Sequence, residues 1–96
     1  LKLQNDSLVI REKIEDQAGL SESYRAFGAA YFGVRNLSKS REFLLKSVEL
    51  SAKIGFRLTQ NEAETYLASV YLELGEYTEA IELFQKIYER EKDSPE

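Results

Sequence analysis

The sequence predicts an all-α fold of antiparallel helix pairs, and three observations predict it. Apolar residues recur at three- and four-residue steps through most of the 96-residue chain. The same pattern returns after about 40 residues. The breaks between periodic stretches are short, so consecutive helices must lie antiparallel against one another. Composition agrees: 43% hydrophobic, 31% charged and a single Pro suit a helical globular domain and are too apolar for a disordered chain.

Five helices are expected, at about 2–15, 17–34, 37–54, 57–74 and 77–92. The first takes its phase from SLVIREKI (7–14), which falls on SVELSAKI (47–54) with Ser7/Ser47, Lys13/Lys53 and Ile14/Ile54 identical. The second follows Asp16, a suitable N-cap, and puts Tyr24, Phe27, Gly28, Tyr31 and Val34 on one face. It ends near Asn36, which tolerates the left-handed conformation. The third carries Leu37, Ser40, Leu44, Ser47 or Val48, and Ala52, and is closed by Gly55. The fourth carries Ala63, Leu67, Ala68, Tyr71 and Leu74 before Gly75. Its start is open between 57 and about 60, because Thr59 with Glu62 has the form of a capping box. The fifth carries Tyr77, Ala80, Phe84 and Ile87 or Tyr88. Small residues recur where two helices would cross closely, Gly28 with Ser40 and Ala68 with Ala80. Bulky neighbours, Tyr31 with Leu44 and Tyr71 with Phe84, would fill the space beside them.

Several function classes are disfavoured. The chain has no Cys and no His, so it lacks the commonest general base, nucleophile–base pair and zinc ligands. No catalysis, cofactor or metal is expected. A net charge of -4 repels phosphate backbones and argues against nucleic acid. The longest nearly apolar stretch, Ala26 to Val34, is too short to span a membrane. The opening Leu-Lys-Leu shows no signal peptide and reads as a cut through a longer protein, and the cytoplasm is the expected compartment.

The stretch AETYLASVYLELGEYTEAIELFQKI (63–87) resembles a tetratricopeptide repeat throughout. Leu67, Ala68 and Tyr71 match the large–small–aromatic signature of its first helix. Gly75 and Tyr77 match its turn, and Ala80 and Phe84 the pair on its second helix. Tyr24, Phe27, Gly28, Tyr31 and Leu44 match in the first unit, where Arg35 replaces the turn glycine and Ser40 the alanine. The resemblance implies a right-handed α-solenoid of five helices. Its single domain, 1–96, would divide into the second helix of a truncated repeat (1–16) and two full repeats (17–56 and 57–96). A spacing of about 40 exceeds the usual ~34, and long repeats of this kind resemble those of bacterial transcription regulators, sensor kinases and adaptor proteins.

The resemblance also implies a protein-interaction module that binds a protein or peptide on the concave wall formed by the first helix of each pair. On that wall it places Glu22, Arg25, Ala29, Phe32 and Gly33, then Glu62, Thr65, Ser69, Leu72 and Glu73. Apolar ligand side chains would lie on Phe32 and Leu72 while basic groups met Glu22, Glu62 and Glu73, so a basic or mixed-charge partner is expected. Members that clamp chaperone tails use Lys, Asn and Arg there. Here Glu22, Ala26, Ala29, Glu62, Tyr66 and Ser69 hold the comparable places, and only Arg25 is basic. A regulatory sensor segment of a bacterial signalling or transcription-regulatory protein is the alternative.

The remaining features read as structure. Glu62, Glu64, Glu73, Glu76, Glu79 and Glu82 read as solvated surface, not as a metal or acid–base site. Lys39, Arg41, Lys46, Lys53 and Arg57 read as a charged outer face diluted by Glu42 and Glu49. Tyr24, Tyr31, Tyr71, Tyr77 and Phe84 are expected in the core, while Phe43 and Phe56 fall off the stripe and are candidates for contact with a neighbour. Leu1, Leu3, Leu8 and Ile10 would lack a partner on the truncated helix, and self-association through that end is expected.

Overall fold

The computed structural model describes the backbone of residues 2–92 and the side chains of residues 15–92. The described residues form four helices: α1 (Lys2–Gly33), α2 (Leu37–Ile54), α3 (Arg57–Leu74) and α4 (Tyr77–Lys92). Helices α2, α3 and α4 coincide with the expected spans. The first two expected helices do not: they are one continuous helix, and Asp16 lies inside it and caps nothing. The reason is visible at the 40-residue spacing, where Glu15 and Asp16 stand in the place of Gly55 and Phe56. Gly55 turns the chain with φ 76°. A side chain in that conformation costs about 1–2 kcal/mol. Neither Gly nor Pro occurs between residues 11 and 18 to interrupt the ladder, so the helix runs on. Leu1, Leu3, Leu8 and Ile10, expected to lie bare on a separate helix, have side chains outside the described residues.

The three remaining turns are built alike. A residue in the left-handed region donates its N–H three residues back, and the next residue donates five back. Gly75 N–H reaches the Leu72 carbonyl at 3.1 Å and Glu76 N–H the Tyr71 carbonyl at 2.8 Å. Gly55 and Phe56 do the same to Ala52 and Ser51, at 3.2 and 2.8 Å. In the first turn the left-handed residue is Arg35, with φ 67°, and not Asn36 as expected. Asn36 is instead the N-cap of α2, its side chain accepting from the Lys39 N–H at 3.2 Å. Helix α3 begins at Arg57 without a side-chain cap, and Thr59 is buried, so the capping box does not form.

Helices α1 and α2 meet through small residues. Ser40 Oγ donates to the Gly28 carbonyl at 2.7 Å and Ser47 Oγ to the Ser21 carbonyl at 2.8 Å, a pairing in antiparallel register. A Cβ built on Gly28 would lie 2.5 Å from Leu44 Cγ and Cδ2, so the fully buried Leu44 occupies the space that a side chain at 28 would take. Phe43, expected to face a neighbour, sits in this seam. Its ring lies 6.1, 5.5 and 5.6 Å from those of Tyr24, Phe27 and Tyr31. Leu44, Ala63, Leu67 and Val70 form the core, flanked by Phe32, Leu37, Val48, Tyr71 and Leu83. Ala68 and Ala80 are fully buried, as their small size at a crossing requires. Tyr77 and Phe84, expected in the core, are 61% and 41% exposed, because α3 covers only one side of α4.

Two glycines in α1 separate packing from propensity. Gly28→Ala is expected to destabilise the fold by about 1–3 kcal/mol, because Leu44 must move. Gly19→Ala, with nothing within 4 Å of its Cβ, is expected to stabilise it by about 0.5–1 kcal/mol. Urea unfolding of both variants checks the pair, and equal midpoints would contradict the close approach.

Candidate functional site

Helices α1 and α3 also touch, and they run side by side in the same direction. Going up both helices together, Arg25 Nε lies 3.2 Å from Glu62 Oε1, the Phe32 ring 6.3 Å from the Tyr66 ring, and Arg35 Nη2 2.5 Å from Glu73 Oε1. Between them opens a groove of about 480 Å³ lined by Arg25, Phe32, Asn61, Glu62, Thr65, Tyr66 and Ser69. Arg25, Phe32, Glu62, Thr65 and Ser69 were singled out in the sequence, and the structure brings them together. Glu22, Ala29, Leu72 and Glu73 do not line the groove; Ala29 is half-buried, and Glu22, Leu72 and Glu73 are exposed.

The groove's polarity follows from how its side chains are already bonded. Thr65 Oγ1 donates to the Asn61 carbonyl at 2.8 Å and Ser69 Oγ to the Thr65 carbonyl at 3.2 Å. Both hydroxyls have thus spent their hydrogens and offer acceptor oxygens. Glu62 adds a carboxylate, 48% exposed, whose partner Arg25 keeps its buried Nε out of hydrogen-bonding geometry. The apolar part is the Phe32–Tyr66 pair, whose rings meet edge-on at 68°. A ligand with donors at its polar groups and one apolar side chain is complementary to this lining.

Tyr66, which the resemblance also sets on the wall, lines the groove, whereas Asn61 is absent from the wall residues that the sequence predicts. Asn61, Thr65 and Ser69 stand at four-residue steps on α3, which was the available signal. Asn61 also ties the groove to α4. Its Oδ1 accepts from Arg90 Nε and Nη2 at 3.1 and 2.7 Å, and its Nδ2 donates to Glu91 Oε2 at 2.6 Å.

Arg90 also bonds Glu64, and this corrects the reading of Glu64, alone among those carboxylates, as solvated surface. Glu64 is 1% exposed and is held by Arg90 and by Gln60 Nε2 at 3.3 Å. Glu62, Glu73 and Glu76 also pair with arginines of α1, α2 or the turn between them, Arg25, Arg35 and Arg41. The wall therefore offers a ligand less free negative charge than its composition suggests. Lys39 and Lys46 both face Glu42, at 3.9 and 3.7 Å, and Arg41 faces Glu76, so three residues of the basic stretch are paired. A second depression of about 320 Å³ lies over α3 between α2 and α4, with Leu67 and Tyr71 in its floor. Among the described residues no group of three His, Cys, Asp or Glu could hold a metal ion, and no helix is long and apolar enough to cross a membrane.

Compared with known families, residues 62–94 match the tetratricopeptide repeat, a stretch that spans most of α3 and all of α4. Comparison with curated proteins and with solved structures returns no match.

The buried ion pair has an asymmetric consequence. Arg90→Ala leaves the Glu64 carboxylate buried without its cation, which is expected to cost about 3–5 kcal/mol. Glu64→Gln leaves a neutral amide that still bonds its neighbours and should cost about 1–2 kcal/mol. Chemical denaturation of the two variants checks this; equal losses would mean that Glu64 does not need Arg90.

Proposed function

Residues 62–94 being a tetratricopeptide repeat, a module that mediates protein–protein interaction, we propose that the chain binds a protein partner by holding an extended or helical peptide in the groove between α1 and α3. The observation that carries this reading is the lining itself. An edge-on aromatic pair lies beside two acceptor hydroxyls and one carboxylate, on two helices bridged by ion pairs at both ends of the contact. The ligand's apolar side chain lies against Phe32 and Tyr66. Its Lys, Arg or backbone N–H groups meet Glu62, Thr65 and Ser69, and Glu22 draws basic groups towards the open end. The partner is thus basic or mixed in charge. The wall extends beyond the groove to Ala29, Leu72 and Glu73, on the same two helices. We read 17–56 and 57–96 as the two repeat units that build it, wound as a right-handed solenoid.

One observation favours a regulatory role as well. Asn61 lines the groove and holds Arg90 and Glu91, so a ligand competing for its side chain loosens the last turns of α4. That would make the segment a sensor whose groove occupancy is felt by whatever adjoins α4.

The test uses two labelled peptides, alternating Lys–Leu and alternating Glu–Leu, followed by fluorescence anisotropy. The Lys–Leu peptide is expected to bind the more tightly. Phe32→Ala with Tyr66→Ala, which leaves the net charge unchanged, should weaken it about tenfold or more. Binding unaffected by the aromatic changes would place the site elsewhere on the acidic surface.

A further inference from the structure

Two apolar faces are uncovered, at opposite ends of the helix array. On α4, Tyr77, Ile81, Phe84 and Tyr88 are 61%, 55%, 41% and 66% exposed. They stand at steps of three and four residues and so form one stripe. On α1, Phe27 is 54% exposed, and the small residues Ser23, Ala26 and Ala30 around it are also exposed.

The internal repeat says what these faces are for. Shifted by 40 residues, Tyr77, Ile81, Phe84 and Tyr88 fall on Leu37, Arg41, Leu44 and Val48, the face of α2 that packs against α3. By the same shift, Ser23, Phe27 and Ala30 fall on Ala63, Leu67 and Val70, the residues of α3 that cluster with Leu44. The chain therefore carries one interface assembled inside it, α2 against α3, and the two halves of a like interface left open. The sizes also match: Phe84 and Tyr88 are bulky, and the α1 face beside Phe27 has the small side chains that leave room for them. The α1 face is open because α1 runs straight through Glu15 and Asp16, so residues 2–14 continue its axis and do not fold back along it.

We propose that a second copy of this chain docks here head to tail, α4 of one copy lying along α1 of the next as α2 lies along α3. The contact joins different surfaces, so it is heterologous: each copy uses one face and leaves the other free, and growth does not close at a dimer. It involves neither Phe32 nor Tyr66 and stands or falls apart from peptide binding in the groove.

Light scattering and sedimentation from about 1 μM to about 1 mM test it. The wild-type mass should climb steadily with concentration. Ala30→Glu blocks the α1 face and Tyr88→Glu the α4 face; both positions are exposed, and circular dichroism and melting confirm that each variant folds. Val34→Glu, 73% exposed and just beyond the end of α1, serves as a second block of the first face. Each variant alone should stay monomeric. Mixed, Ala30→Glu and Tyr88→Glu should form a one-to-one dimer and nothing larger, because each retains the face that the other lacks. A wild-type chain monomeric throughout overturns the proposal. So does association that stops at a dimer and survives in one of the variants alone, the mark of a face pairing with itself.

Discussion

One residue in the left-handed region closes each of α1, α2 and α3, at 35, 55 and 75, and the rest of the architecture depends on this twenty-residue beat. A turn of this kind reverses the chain within two or three residues and leaves the next helix no choice but to lie antiparallel on the last. Because the beat is regular, α1 and α3 come out on the same side and parallel, which creates a groove between them. Position 15 is where the beat fails. Glu15 does not take the conformation that Gly55 takes, the helix continues, and a face of α1 that an antiparallel helix could have covered is left open. Arg35 shows that the conformation is not reserved for glycine. Once formed, it also brings a guanidinium to Glu73 on α3, and that ion pair lies at the end of the α1–α3 contact.

Packing between the helices is then a matter of distance of approach. Gly28, Ser40, Ser47, Ala68 and Ala80 let backbones come close, and the serines add hydrogen bonds from α2 to α1 carbonyls already committed to their own helix. Where helices approach less closely, arginines bridge the gap: Arg25, Arg35 and Arg90 each reach a glutamate on α3. Two of these pairs, at Glu62 and Glu73, are partly exposed and contribute little to stability. Glu64 with Arg90 differs, because a buried carboxylate without its cation is costly; this pair specifies where α4 sits more than it stabilises the fold.

The sequence carried the parts governed by local rules. The glycine turns and the apolar period placed α2, α3 and α4, and the small residues at crossings were legible as close contacts. It failed where a non-local partner decides. The expected division of α1 rests on a phase that repeats that of α2, although the glycine that divides α2 from α3 has no counterpart at Glu15. Glu64 reads as surface because it is charged; yet Glu64, Leu67, Ala68 and Tyr71 share the helical spacing of a buried stripe. Tyr77 and Phe84 were read as core from the same kind of stripe, and they are exposed because periodicity shows that a face is apolar without saying what covers it. In the groove, Arg25, Phe32, Glu62, Thr65 and Ser69 followed from the resemblance. Tyr66 followed from it too, as one of the places compared with the chaperone clamp, and Asn61 alone needed the parallel pairing of α1 and α3 to be seen.

That last distinction bears on how the fold is held together. Three of the six buried hydrophobic residues among those described, Ala63, Ala68 and Ala80, are alanines, which remove little apolar area from water. Tyr77, Ile81, Phe84 and Tyr88 of α4 and Phe27 of α1 are exposed. In a stacked helical array each unit buries its faces against its neighbours, so stability sits in the contacts between units as much as within them. A chain with this distribution leaves much of its burial unused until another helix covers α4 or α1. A helix that covers either face would stabilise the fold by mass action, because whatever binds only the folded form stabilises it. The groove is built from a different set of side chains, held by ion pairs and an aromatic edge, and does not draw on that uncovered surface.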